Sequence, residues 1–264
     1  MNIRLFLPVA VTLLAASAST QAALLAYDPF NQAPGPMNDT RSSGAGVVWP
    51  GVTNNWFSGS ANTVISTGSL SYGPLLTGGN QANLDNSGSS IFRAFDTTFG
   101  GDGSDLWISF LIVGTADNTG ISLFQVGAEN NFMGAGGGSG QTIGLQNPNI
   151  NTGVAVGQAT HFYAIRLNMT PAGVGTHTIY VDPAFSSLGN GAAPTGGVTG
   201  SGTQADFTWD RIRLGDFNGS NTATRFDEFR MGNTWADVSP VPEPSTFGLL
   251  ALMTVGMAAR RRRA

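Results

Sequence analysis

The chain of 264 residues carries 37 glycines, 13 prolines and no cysteine, and only 11% of its residues are charged. All 12 basic residues are arginine, set against 16 acids for a formal net charge of −4. That balance excludes a nucleic-acid partner, because phosphate binding needs clustered positive charge, and the missing cysteines exclude disulfide staples, so stability rests on a hydrophobic core.

From the N-terminus, Arg4 precedes an apolar run over residues 5–16, then small residues with Ala-x-Ala spacing at Ala16-Ser17-Ala18. Thr20-Gln21-Ala22 offers a second small-residue site. This is the pattern of a secretory signal peptide. It assigns residues 1–23 to an N-terminal signal helix, implies the Sec export machinery as a partner, and places the mature start near Leu24.

Residues 24–239 form one domain, long enough for its own core. Sixteen phenylalanines and regular apolar segments set it apart from a disordered chain of similar polarity. Strands are expected over residues 24–30, 90–95 and 106–113, the last apolar on both parities and so buried on both faces. Further strands are expected over 121–126, 141–145, 161–168, 177–181, 207–214 and 225–231. Within residues 161–168, Tyr163, Ile165 and Leu167 share one face. The stretches 134–140 and 188–202 read as turn-rich. No segment of the domain shows a 3.6-residue apolar period. The fold class that follows is all-β, a two-sheet antiparallel sandwich or jelly roll.

The chain closes with Val241-Pro242-Glu243-Pro244-Ser245, an apolar stretch, and then Arg260, Arg261, Arg262 and Arg263. Residues 247–259 fall short of the roughly 20 that an ordinary spanning helix needs. Pro242 and Pro244 stop a helix from extending upstream, and the arginines hold the C-terminus on the cytoplasmic side. A short C-terminal transmembrane helix is expected, inserted transiently in the inner membrane with everything before Pro242 outside. These three parts, in this order, resemble the PEP-CTERM signal of Gram-negative bacteria. The resemblance implies a sorting tail over residues 240–264, an exosortase as partner, and a cell-surface or extracellular destination after tail processing. An uncut anchor is the other reading of the same residues.

The domain itself resembles concanavalin A-like, laminin-G-like jelly rolls. The residues that carry this are Tyr27-Asp28-Pro29-Phe30, Gly68-Ser69-Leu70-Ser71-Tyr72, Trp107-Ile108-Ser109-Phe110-Leu111, and Phe226-Asp227-Glu228-Phe229-Arg230-Met231-Gly232 followed by Trp235-Ala236-Asp237-Val238. The resemblance implies two packed antiparallel sheets, with the last long strand beside the first, and no particular activity.

Candidate chemistry is sparse. Glycoside cleavage uses two carboxylates across the scissile bond, and Glu129 and Glu228 are the only glutamates before the tail. Asp227 and Glu228 would point to opposite faces of a regular strand. The Glu-x-Asp-x-x-Glu and Glu-x-Asp-x-Glu strings of catalytic concanavalin-like proteins do not occur. His161 and His177, on neighbouring strands, could serve a metal or acid–base role, or simply sit at strand ends. No Gly-x-Ser-x-Gly elbow is present. Asp102 and Asp105, in Gly100-Gly101-Asp102-Gly103-Ser104-Asp105, could offer hard oxygen ligands to calcium, or merely form a turn; Asp216-Phe217-Asn218-Gly219-Ser220 is similar. Otherwise no cofactor is expected. Trp49, Trp56 and Phe57 could stack on sugar rings, or plug one end of the sandwich. Phe226 and Phe229, three apart, require a bulge or two buried faces.

The sequence thus points to an exported, non-catalytic, exosortase-sorted protein of the cell surface or extracellular matrix that contacts exopolysaccharide. The alternative is a polysaccharide hydrolase or lyase on the same scaffold.

Overall fold

The computed structural model describes residues 24–43, 47–51, 54–59, 62–84, 88–114, 118–136, 142–155, 157–216 and 223–241. The signal peptide and the tail from Pro242 onward lie outside the described residues. The strands in chain order are β1 (Leu24–Asp28), β2 (Gly35–Pro36), β3 (Trp56–Phe57), β4 (Thr63–Ser66), β5 (Gln81–Leu84), β6 (Ser89–Gly100), β7 (Asp105–Val113) and β8 (Thr119–Gln125). They continue with β9 (Ala128–Ala135), β10 (Thr142–Leu145), β11 (Ile150–Ala155), β12 (His161–Asn168), β13 (Val174–Val181), β14 (Val198–Ala205), β15 (Thr208–Asp216) and β16 (Thr224–Gly232). One short helix, α1 (Trp235–Val238), and a 3-10 turn at Phe185–Ser187 complete the set.

All pairings are antiparallel and build two sheets, as the sequence leads one to expect. One has nine strands in the order β14-β13-β12-β7-β16-β5-β4-β2, with β1 also paired to β16. The other has seven, in the order β11-β10-β9-β8-β15-β6-β3. The first strand thus lies beside the last, Tyr27 opposite Arg230.

The main core fills the space between the sheets. Alternation decides who enters it: Leu106, Ile108, Phe110 and Ile112 of β7 face Ile121 and Leu123 of β8 and Ile212 and Leu214 of β15 within one buried cluster. The other parity of β7 is buried too. Trp107, Leu111 and Val113 belong to a second cluster on the outer side of the nine-stranded sheet, with Leu70, Leu75, Phe162, Leu188, Trp235 and Val238. Three pieces cover that side: the segment 69–78, the turn around Phe185–Ser187, and α1. Helix α1 is only four residues long, and a capping box makes it hold: Thr234 Oγ1 accepts from Asp237 N, and the Asp237 carboxylate accepts from Thr234 N at 2.8 Å.

Two stretches that read as turns contain strand. Residues 134–135 end β9, and 198–202 begin β14. On β14 the positions facing β11 and the core are Gly200 and Gly202, which contact Ile150 and Pro148 closely enough that a Cβ at either would collide. An edge strand whose inward positions are glycine leaves no apolar alternation to read.

Candidate functional site

The outer face of the seven-stranded sheet holds a feature built from backbone as much as side chains. Pairing places Gly144 of β10 opposite Gly134 of β9, Gly134 opposite Gly120 of β8, Gly120 opposite Gly215 of β15, and Gly215 opposite Ser90 of β6. Four glycines thus run in one row across four adjacent strands. Neighbouring strands lie about 4.8 Å apart, so the row to Ser90 spans about 19 Å. These glycines face away from the core that Ile121, Met133, Ile143 and Leu214 enter, and because they carry no side chains the row lies lower than the row beside it, as the floor of a trough. Close backbone approach explains the residue choice: a Cβ at Gly134 would lie 2.1 Å from the Thr119 carbonyl oxygen, and one at Gly120 2.1 Å from that of Met133.

The next outward row forms a wall: Phe132 on β9, Ser122 on β8, Arg213 on β15, Phe92 on β6 and Phe57 on β3. Phe57 stacks on Phe92 with centroids 6.0 Å apart, and Phe92 meets Phe124 edge-on at 5.3 Å. The Arg213 guanidinium lies 4.6 Å from the Phe124 ring centroid. It donates to Ser122 Oγ at 2.9 Å and to Glu129 Oε1 at 3.0 Å. Burial pulls the Arg213 pKa down, and the Glu129 charge opposes that pull. Nearby, Arg211 pairs with Asp210 at 2.7 Å, and this hydrogen bond holds the Asp210 carboxyl below its ordinary value. The trough therefore sets two half-buried rings, Phe57 and Phe92, beside oriented, charge-bearing hydrogen-bonding groups, with Phe124 and Phe132 buried behind them.

On the other sheet, β16 carries a bulge. The register with β7 slips between Asp227 and Arg230, and Glu228 adopts a left-handed φ of 54°. Phe226 and Phe229 consequently both enter the main core. Contrary to the regular-strand expectation, Asp227 and Glu228 now serve the same side. Asp227 Oδ2 accepts from Ser69 Oγ at 2.6 Å and from Leu70 N at 2.7 Å. Glu228 accepts from Gly78 N at 2.7 Å, from Tyr27 Oη at 2.9 Å and from Arg230 at 2.6 Å. Burial pushes the Asp227 carboxyl up to about 8, against the pull of the Ser69 hydroxyl. Both acids are buried beneath the segment they hold, Asp227 at 0% and Glu228 at 1% exposure, so what they do in this geometry is fasten residues 69–78.

The sequence-derived candidates fall as follows. Trp56 is fully buried and Trp49 is 7% exposed, both in the main core, so neither offers a ring face for sugar stacking. They close one end of the sandwich around a buried ion pair between Asp28 and Arg93, with Trp56 Nε1 donating to Asp28 and the Arg93 guanidinium 3.9 Å above the Trp49 ring. Phe57 alone of the three belongs to the trough wall. Of the calcium candidates Asp102 and Asp105, Asp105 is held by Arg166 through two hydrogen bonds of 2.9 and 2.6 Å; among the described residues no three histidine or acidic side chains group where they could hold a metal. Asp216 accepts from Thr224 Oγ1 at 2.9 Å; residues 217–220 of that turn lie outside the described residues. His161 and His177 do not form a pair. His177 sits opposite Leu167, six residues and about 20 Å along β12 from His161. His161 contacts Asp182 at 2.6 Å, while His177 is buried against Phe207, and burial pushes its pKa down.

Sequence reasoning missed Phe92, Phe124, Arg213 and the glycine row. The available signal was glycine inside strands, at positions 120 and 144, which marks close backbone approach.

No curated protein matches the chain. Among solved structures, an endo-β-1,4-glucuronan lyase from the fungus Trichoderma reesei is similar with a TM-score of 0.49 at 12% identity, over 83% of this chain and 99% of that one. The globular domain of T. cruzi calreticulin follows at 0.45 and 11%, over 92% and 100%. Lectin I-B4 from Griffonia simplicifolia gives 0.34 and 11%, over 70% and 95%. Residues 240–263 match the model of the PEP-CTERM protein-sorting motif. The chain thus carries a PEP-CTERM sorting signal, the mark of an exported protein handled by an exosortase.

Proposed function

We propose that this is a non-catalytic protein of the cell surface or extracellular matrix, and that the trough on its seven-stranded sheet contacts exopolysaccharide. The observation behind this reading is the glycine floor from Gly144 to Gly215, flanked by the wall of Phe132, Ser122, Arg213, Phe92 and Phe57. A floor without side chains lets an extended chain of rings lie close to the backbone. The faces of Phe57 and Phe92 suit the apolar faces of sugars, and the partly exposed Arg213–Glu129 pair supplies hydrogen bonds to hydroxyl or carboxylate groups. The carboxylates that hydrolysis would need are otherwise engaged: Glu129 on Arg213, and Asp227 and Glu228 beneath residues 69–78.

The test is co-sedimentation of the protein with exopolysaccharide from its own host, comparing wild type with Phe92→Ala and Arg213→Ala. Retention of wild type and a loss of tenfold or more in affinity for either variant supports the reading. Equal retention of all three removes the trough from it. Release of oligosaccharides during the incubation would establish the enzyme alternative instead.

A further inference from the structure

The sorting motif begins inside the folded domain. Its first two matched residues, Pro240 and Val241, are packed on the outer side of the nine-stranded sheet. Ser109 Oγ donates to the Val238 carbonyl at 2.6 Å, Gly189 N to Ser239 Oγ at 3.2 Å, and Leu76 N to the Pro240 carbonyl at 2.8 Å. Val241 packs against the second core and lies so close to Gly189 that a Cβ there would be 2.5 Å from its Cγ2. The exit is therefore fixed: no free linker separates the domain from Pro242.

Five residues, 242–246, lie between Val241 and Phe247, where the apolar stretch begins. Fully extended, they reach about 18 Å. The headgroup layer takes up about 6 Å of that on each side of a bilayer. A tail inserted from Phe247 onward thus keeps the exit within about 12 Å of the headgroups.

The surface at this exit is apolar. Leu76 is 49% exposed and Phe185 54%. Phe185 stands edge-on to Tyr72 at 5.0 Å, and the Tyr72 hydroxyl ties the two segments together by donating to the Pro183 carbonyl at 2.7 Å. Across residues 24–241 there are seven arginines against fifteen acids, so charge gives no attraction to an anionic lipid surface. Apolar contact has to do the work.

We infer that, while its tail is membrane-inserted, the domain lies with this exit face against the lipid surface, Leu76 and Phe185 entering the headgroup layer beside Val241. The inference rests on the tail being a membrane segment. It assigns the second core a purpose beyond stability, since that core fixes which face of the sandwich meets the membrane and leaves the trough on the other sheet turned away.

The absence of cysteine makes the test direct. Full-length chain carrying Leu76→Cys, Phe185→Cys or Val126→Cys, each labelled with an environment-sensitive dye, is incorporated into phosphatidylcholine vesicles. Val126, 83% exposed in the loop joining β8 and β9, is the control on the other sheet. The expected result is blue-shifted emission and strong quenching by headgroup-attached quencher at positions 76 and 185, with neither at 126. Chain that floats with the vesicles while all three dyes behave alike would overturn the face-down arrangement and leave the tail reading intact. Chain that fails to float would overturn the tail reading, and the inference with it.

Discussion

Asp227 and Glu228, neighbours in sequence, grip opposite ends of the same surface segment: Asp227 holds Ser69 and Leu70, and Glu228 holds Gly78. The bulge in β16 makes this possible by turning Glu228 to the side that Asp227 already serves. That segment in turn holds the Pro240 carbonyl through Leu76 N. Two buried acids thus reach the start of the sorting motif through one loop.

Asp227 gives the protein a pH dependence of unusual sign. Its folded pKa is raised from 3.8 to about 8, so between those values the folded state binds more protons than the unfolded state. The contribution is complete below pH 4 and is lost as pH rises through 8. Urea denaturation of wild type at pH 5, 7 and 9 is expected to show falling stability. Asp227→Asn, which removes the titration and keeps an oxygen for Ser69 and Leu70, is expected to flatten that slope. The same slope in both proteins would rule out Asp227 as its source.

Asp28 neutralises Arg93 inside the main core, where both side chains are at most 1% exposed. Asp28→Ala leaves a buried guanidinium without its carboxylate and also strips a partner from Trp56 Nε1. A loss of about 3–5 kcal/mol is expected, readable as a lowered urea midpoint. A loss below about 1 kcal/mol would mean that Arg93 finds water or another acceptor.

Val126 and Gly127 form the two-residue connection between β8 and β9, with φ of 48° and 85°. This is a turn that favours Asn-Gly, and a β-branched residue is strained there. Val126→Asn is expected to stabilise the protein by about 1 kcal/mol, the scale of the left-handed penalty. For a domain of this size that corresponds to about 2–4 °C in Tm. An unchanged or lower Tm contradicts the strain argument.

Gly134→Ala tests the trough floor. Its Cβ would meet the Thr119 carbonyl at 2.1 Å, and φ at 155° adds strain for any other residue. A destabilisation of about 1–3 kcal/mol is expected, whereas Gly153→Ala, whose Cβ meets nothing within 4 Å, controls for glycine loss at a positive φ of 72° in the same sheet. Equal losses would show that backbone conformation alone, without the close approach, accounts for the effect.

Residues 161–168 show what the sequence made legible. Tyr163, Ile165 and Leu167 share one face while Arg166 and Asn168 sit on the other, and the strand has those bounds. The doubly buried strand at 106–113 was equally plain, because eight apolar or small residues leave no exposed parity. By contrast β9, Ala-Glu-Asn-Asn-Phe-Met-Gly-Ala, mixes polar residues with a glycine that is needed for close packing, so it offers no strand pattern and its last two residues fall in a stretch that reads as turn-rich. The trough was hidden for the same reason: its floor is the absence of side chains at row neighbours 10, 14 and 95 residues apart in the chain, aligned only by strand register. For Trp49 and Trp56 the sequence leaves both a stacking platform and a plug open, because their loop is rich in Gly and Asn. Their burial depends on Arg93, a charged residue that alternation places on the core-facing side of β6.

The position of β16 also bears on how the chain acquires its shape. It lies in the middle of the nine-stranded sheet, bonded to β7 on one side and to β5 and β1 on the other. Until residues 224–232 arrive, the β14-β13-β12-β7 half and the β5-β4-β2 half of that sheet have no strand pairing between them. A chain that emerges from its N-terminus therefore carries that sheet as two unpaired halves through most of its passage. The nine-stranded sheet closes only as the segment just ahead of the sorting motif appears, so completion of that sheet and arrival of the tail are nearly simultaneous events.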